Sequence, residues 1–98
     1  MQPVPAEFER DTAGTEAEWL ARLPGACHGH ALELGPSSAR VGVDAGWLRL
    51  HWRVLPPRRI ALLSMPRMAV AFRFDGVDAA GRERFMRRFD LQMQRGGG

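Results

Sequence analysis

The 98-residue chain has no lysine, no asparagine, no tyrosine and a single isoleucine, so all fourteen of its basic residues are arginine. The missing residues belong to AT-rich codons and the abundant Ala, Gly, Pro and Arg to GC-rich ones. A GC-rich genome of bacterial type therefore accounts for the exchange of Lys for Arg. The exchange still has a physical consequence. A guanidinium is a planar fork that grips carboxylates and phosphates through two parallel bonds, which an ammonium cannot do. A lone cysteine, Cys27, excludes an intrachain disulfide and reads as a cytosolic protein. The longest uncharged apolar run, Ile60 to Pro66, is far short of the roughly 20 apolar residues that cross a bilayer. Residues 1–10 carry Pro and Glu where a secretory signal has a basic then apolar pattern. G-x-S-x-G, a Gly-rich phosphate loop ending in Lys and H-E-x-x-H are all absent from the sequence, so no signature of catalysis or of a cofactor is present. The expectation is a cytoplasmic, non-enzymatic protein with no cofactor and no membrane.

What is there describes a globular domain. At 45% apolar and 26% charged residues the chain is too hydrophobic for disorder, and its length supports one core without disulfides or metal. Charge is split along the chain. Residues 1–49 carry four arginines against seven acids, and residues 50–98 carry ten arginines against four. Such a dipolar chain points to an anionic partner, to pairing between its own halves, or to head-to-tail self-association.

The domain is expected over residues 15–95, between a flexible arm at 1–14, which lacks periodicity, and a flexible Gly tail at 96–98. Thr15-Glu16-Ala17-Glu18 is a capping box. Behind it Trp19, Leu20 and Leu23 share one helical face, and Pro24-Gly25 is expected to end the helix. From His30 the period becomes two, giving strands at His30–Leu34 and Ala39–Val43. Asp44-Ala45-Gly46 turns the chain, with Gly46 able to take positive φ. Leu48, Leu50, Trp52 and Val54 then alternate with Arg49, His51 and Arg53. After Pro56-Pro57, Arg59–Met65 is apolar on both sides and reads as a central or covered strand. Met68, Val70, Phe72 and Phe74 give a fifth strand its inner face. Asp78 is an N-cap for a C-terminal helix whose apolar stripe holds Ala79, Phe85, Met86, Phe89 and Met93. The expected fold is α+β: a short N-terminal helix, a five-stranded antiparallel meander sheet, and a C-terminal amphipathic helix packed on one sheet face. Trp19, Leu20, Leu48, Leu50, Trp52, Val70, Phe72, Phe74, Phe85 and Phe89 form the expected core.

Two constellations carry possible chemistry. Cys27, His28 and His30, with His51 as a fourth, are metal-capable side chains, but structural zinc sites bring two ligand pairs and this chain offers one cluster. The outer sheet face gathers Arg49, Arg53, Arg67 and Arg73 into a patch that suits phosphates. Single-stranded nucleic acid, however, needs aromatic platforms among the charges, and only Trp47 is available. A solvated or internally paired face is the plainer reading of those arginines. On the last helix Arg84 and Arg88 surround an apolar Leu91, which suggests a protein contact. Asp75 and His51 would make an acid–base pair only if folding joined them. The favoured function is an interaction module that uses this arginine-rich surface to bind an acidic protein partner or itself. Weak, sequence-independent RNA or single-stranded DNA binding is the alternative.

Overall fold

The computed structural model describes residues 3–27 and 29–96. Five strands and two helices follow in the order β1 (Glu7–Ala13), α1 (Glu16–Ala26), β2 (Leu32–Leu34), β3 (Ser38–Val43), β4 (Gly46–Ile60), β5 (Leu63–Asp75) and α2 (Ala79–Gly96). All pairings are antiparallel and the sheet order is β1-β5-β4-β3-β2. Strands β2 to β5 form a meander, as short connections dictate. The fifth strand is not the expected one.

That strand is β1, which lies in the segment expected as a loose arm. It pairs with β5 from Glu7 opposite Arg73 to Ala13 opposite Arg67. Its inward residues are Phe8, Arg10 and Thr12, so it lacks the apolar alternation that marks a half-buried strand. Other contacts hold it in place. Phe8 stacks on Phe72 with ring centroids 4.7 Å apart, and Arg10 forms a bidentate pair with Asp90 of α2 at 2.6 and 3.2 Å. Just ahead of the strand, Arg82 donates to the Val4 carbonyl at 2.8 Å.

Both helices cover the same sheet face. Trp19, Leu23, Phe85, Met86 and Phe89 meet Leu48, Leu50, Trp52, Met68, Val70, Phe72 and Phe74 in one buried cluster. The aromatic contacts run continuously, from Trp52 to Trp19 to Phe89 and on to Phe72 and Phe85. The expected core is present except for Leu20, which is exposed on the solvent side of α1. Ala79 likewise faces water. The capping box forms, with the Thr15 hydroxyl accepting from the Glu18 N–H and the Glu18 carboxylate accepting from the Thr15 N–H. Donation from the Thr15 N–H, and then from its hydroxyl, holds the Glu18 carboxyl below its ordinary range. Pro24 does not end α1. The last turn closes through the Cys27 N–H donating to Leu23 O, so the proline removes one donor on an exposed face and the helix runs on to Ala26. Asp78 caps α2 as expected, its carboxylate accepting from the Gly81 N–H at 2.8 Å.

At the β3–β4 turn the positive φ falls on Asp44, at 52°, and not on Gly46. Gly46 is needed for a different reason. A Cβ there would lie 2.1 Å from the Asp75 carbonyl oxygen and 2.6 Å from Gly76, so the turn into α2 packs directly on this backbone. Of the expected Gly tail, Gly96 is the last residue of α2, and residues 97–98 lie outside the described ones.

Candidate functional site

The largest departure from expectation is the segment Arg59–Met65. It is neither central nor covered. β4 and β5 pair beyond the point where β3 and β1 stop, with Arg58 opposite Met65, Arg59 opposite Ser64 and Ile60 opposite Leu63. Ala61 and Leu62 make the tip, with Ala61 at φ 54°. A two-stranded arm therefore projects from the sheet, and the molecule with its arm has principal extents of 46 × 30 × 22 Å. Its side chains face water: Val54 and Leu63 are each 66% exposed, Ile60 53%, and Leu62 fully. Met65 is also exposed, and Val54, expected in the inner apolar row, has left the core. A continuous apolar run signals a buried strand only when another layer covers it, and both helices stop short of this arm.

Antiparallel partners share a face, so Ile60, Leu63, Arg58 and Met65 lie on one side of the arm, continuous with Leu55 and Arg67. Pro56-Pro57 sits in a bulge between Leu55 and Arg58, where the missing N–H groups break the ladder. Arg67 fastens this bulge. Its Nε donates to the Pro56 carbonyl at 2.9 Å and its Nη1 meets the Asp11 carboxylate of β1 at 2.7 Å. Arg58 and Arg59 take part in no ion pair among the described residues.

Nearer the base, the outer face carries a charged rung across all five strands. Glu7, Arg73, Arg49, Arg40 and Glu33 stand opposite one another in β1, β5, β4, β3 and β2. Arg49 and Arg73 share Asp75 at 3.2 and 3.5 Å, and Arg40 meets Glu33 at 3.3 Å. Arg53 lies 4.0 Å from Glu9. These exposed pairs contribute little stability singly, and they set carboxylates beside the arginines expected to meet phosphates. Arg40 also lies over the Trp47 ring, 4.0 Å from its centroid, and so covers the one stacking residue on this face.

The remaining site residues lie elsewhere. Arg84, Arg88 and Leu91 project from the solvent side of α2, across the sheet from the outer arginines. Leu91 is 52% exposed, and Arg84 pairs with Asp44 at 3.4 Å. Cys27 is buried in the core, where burial pushes its thiol up to about 11. His30 places Nδ1 2.8 Å from the Gly42 carbonyl and packs its ring edgewise on Phe85, while His28 lies outside the described residues. Among the described residues no three His, Cys, Asp or Glu side chains converge to hold a metal ion. Asp75 is engaged by Arg49 and Arg73, and His51 stands opposite Ala71, so no Asp75–His51 pair forms. Among the described residues no helix is long and apolar enough to cross a membrane.

Sequence reasoning missed both β1 and the arm. Glu7, Glu9 and Asp11 alternate at period two, as do Arg49, His51 and Arg53. The period-two alternation of acids over residues 7–11 was the signal for β1. No protein-family model matches this chain, and no curated protein sequence matches it.

Proposed function

We propose that this chain is a non-enzymatic interaction module whose β4–β5 arm, with Arg58 and Arg59, holds an acidic and apolar segment of another protein. The arm's uncovered side chains carry the reading. Ile60, Leu63 and Met65 are exposed on one face of the projection, with Leu62 at its tip and Val54 on the opposite face, and clustered exposure of large apolar groups marks an interaction surface. Two arginines without ion pairs beside them favour carboxylates in the partner. Pro56, Pro57 and Pro66 remove donors along the arm, which discourages an added strand and leaves recognition to side chains.

A different protein fits this arm better than a second copy does. Seven of the chain's eleven acids already pair with its own arginines, so a copy offers few free carboxylates. Arg88 and Leu91 on α2 would form a second, smaller contact. The rival reading, nucleic acid across Arg49, Arg53, Arg67 and Arg73, has less support because those guanidinium groups lie against carboxylates and Trp47 is covered.

Selection of binders from a random displayed peptide library tests the proposal. The expected binders carry acids among large apolar residues and lose at least about tenfold in affinity for the Arg58→Glu/Leu62→Asp variant. Binders that hold the variant equally well would place the contact elsewhere. Oligonucleotide affinity tighter than roughly 10⁻⁶ M at physiological salt would favour the rival.

A further inference from the structure

On the helix side of the sheet, a cavity of about 210 Å³ opens between β1, α1 and α2. Trp19, Phe72, Phe89 and Met93 give it an apolar lining, and Arg10 and Arg22 add guanidinium groups. An engineered apolar cavity of about 150 Å³ holds benzene, so this one accommodates a six-membered ring and a small polar group. Trp19 brings an unusual donor. The residue is 4% exposed, and its Nε1 is buried without an acceptor among the described residues. Neighbouring Trp52, by contrast, donates its Nε1–H to Glu16 at 2.8 Å. A buried N–H without a partner is costly, and native proteins seldom leave one so without cause.

The two arginines are not equivalent. Arg10 is committed to Asp90 through two short bonds. Arg22 has a single 3.3 Å contact with Glu18, four residues earlier on the same helix, a weak kind of surface pair. Glu18 is held independently by the Thr15 N–H and hydroxyl, so it stays satisfied if Arg22 turns away. Arg22 follows Trp19 by three positions, which places both on one helical face.

We propose that this cavity binds a small aromatic or branched aliphatic carboxylate. The apolar part rests on Trp19, Phe72 and Phe89, while the carboxylate accepts from the Trp19 Nε1–H and from Arg22. Such a ligand satisfies the orphaned donor and gives Arg22 a better-desolvated partner than Glu18. The site is independent of the arm.

Indole N–H resonances of the ¹⁵N-labelled full chain test this directly, because only Trp19, Trp47 and Trp52 give them. Benzoate is the probe and benzyl alcohol its neutral counterpart. Benzoate should move the Trp19 signal saturably with a dissociation constant of about 1 mM, leaving Trp47 in place. Benzyl alcohol should bind about tenfold more weakly, and Arg22→Gln should erase that preference. Arg22 is a partly exposed helix residue, so the variant keeps its fold and the comparison does not depend on a core substitution. A Trp19 signal indifferent to benzoate up to about 10 mM would overturn the proposal. So would equal affinity for benzoate and benzyl alcohol in the unmodified chain.

Discussion

Strands β4 and β5 are two different objects along their own length. From Trp47 to Trp52 and from Val70 to Asp75 they pair in the middle of the sheet, and their inward side chains lie beneath two helices. From Val54 to Ile60 and from Leu63 to Met65 the same two strands pair only with each other and expose comparable apolar side chains. The chemistry of the strands hardly changes between the two regions. What changes is whether a second layer exists. Burial stabilises the base by roughly 1.5–3 kcal/mol for each large side chain, and the same residue types on the arm leave that free energy unspent until something covers them. The base therefore carries stability and the arm carries the capacity to bind.

The sharpest way to break this comparison is to damage the covered half. Phe89→Ala removes the ring that touches Trp19, Phe72 and Phe85 and should cost about 3–5 kcal/mol, enough to unfold a marginal domain. An undiminished urea transition would show that α2 does not dock on the sheet as described. Gly46→Ala should cost less, about 1–3 kcal/mol, because the new methyl must displace the Asp75 and Gly76 backbone. Thermal melting of that variant without loss would mean that the two turns are not in contact.

Cys27 gives a smaller, pH-dependent effect. Its thiol titrates from about 11 in the folded chain against 9.0 for an ordinary thiol. The unfolded chain thus releases its proton first, and stability falls as pH rises from about 9 through about 11. Cys27→Ala should lose that part of the alkaline decline. Denaturant midpoints for both proteins at pH 8 and pH 10.5 measure the difference, and parallel declines would contradict a buried thiol.

Much of the covered half was legible because its signals are local. The period-two rows Leu48-Leu50-Trp52 and Met68-Val70-Phe72-Phe74, the Thr15/Glu18 box and the Asp78 cap each specify their element from neighbouring residues. The failures came where cover or partners are remote in sequence. β1 is held by Asp90, by Phe72, by Arg67 of β5 and by Arg53 of β4, none of them visible from residues 7–13. The apolar run Ile60–Met65 looks like a buried strand because periodicity reports what a segment can bury, not whether anything lies over it. The arginine face was legible as a row of charges. Its neutralisation by Glu9 and Asp11 depends on the strand that was missed, and that by Asp75 on the register of β4 against β5.

The most direct test asks whether the arm is dispensable for folding and necessary for binding. Leu62→Asp/Leu63→Asp should change unfolding free energy by less than about 1 kcal/mol, since neither side chain touches the core. The same variant should lose the acidic peptide binders that the unmodified chain selects. Measuring urea unfolding and peptide affinity on one preparation decides the matter. Unchanged stability with lost binding is the predicted result. A variant that unfolds early, or one that keeps its peptides, would contradict the division between base and arm.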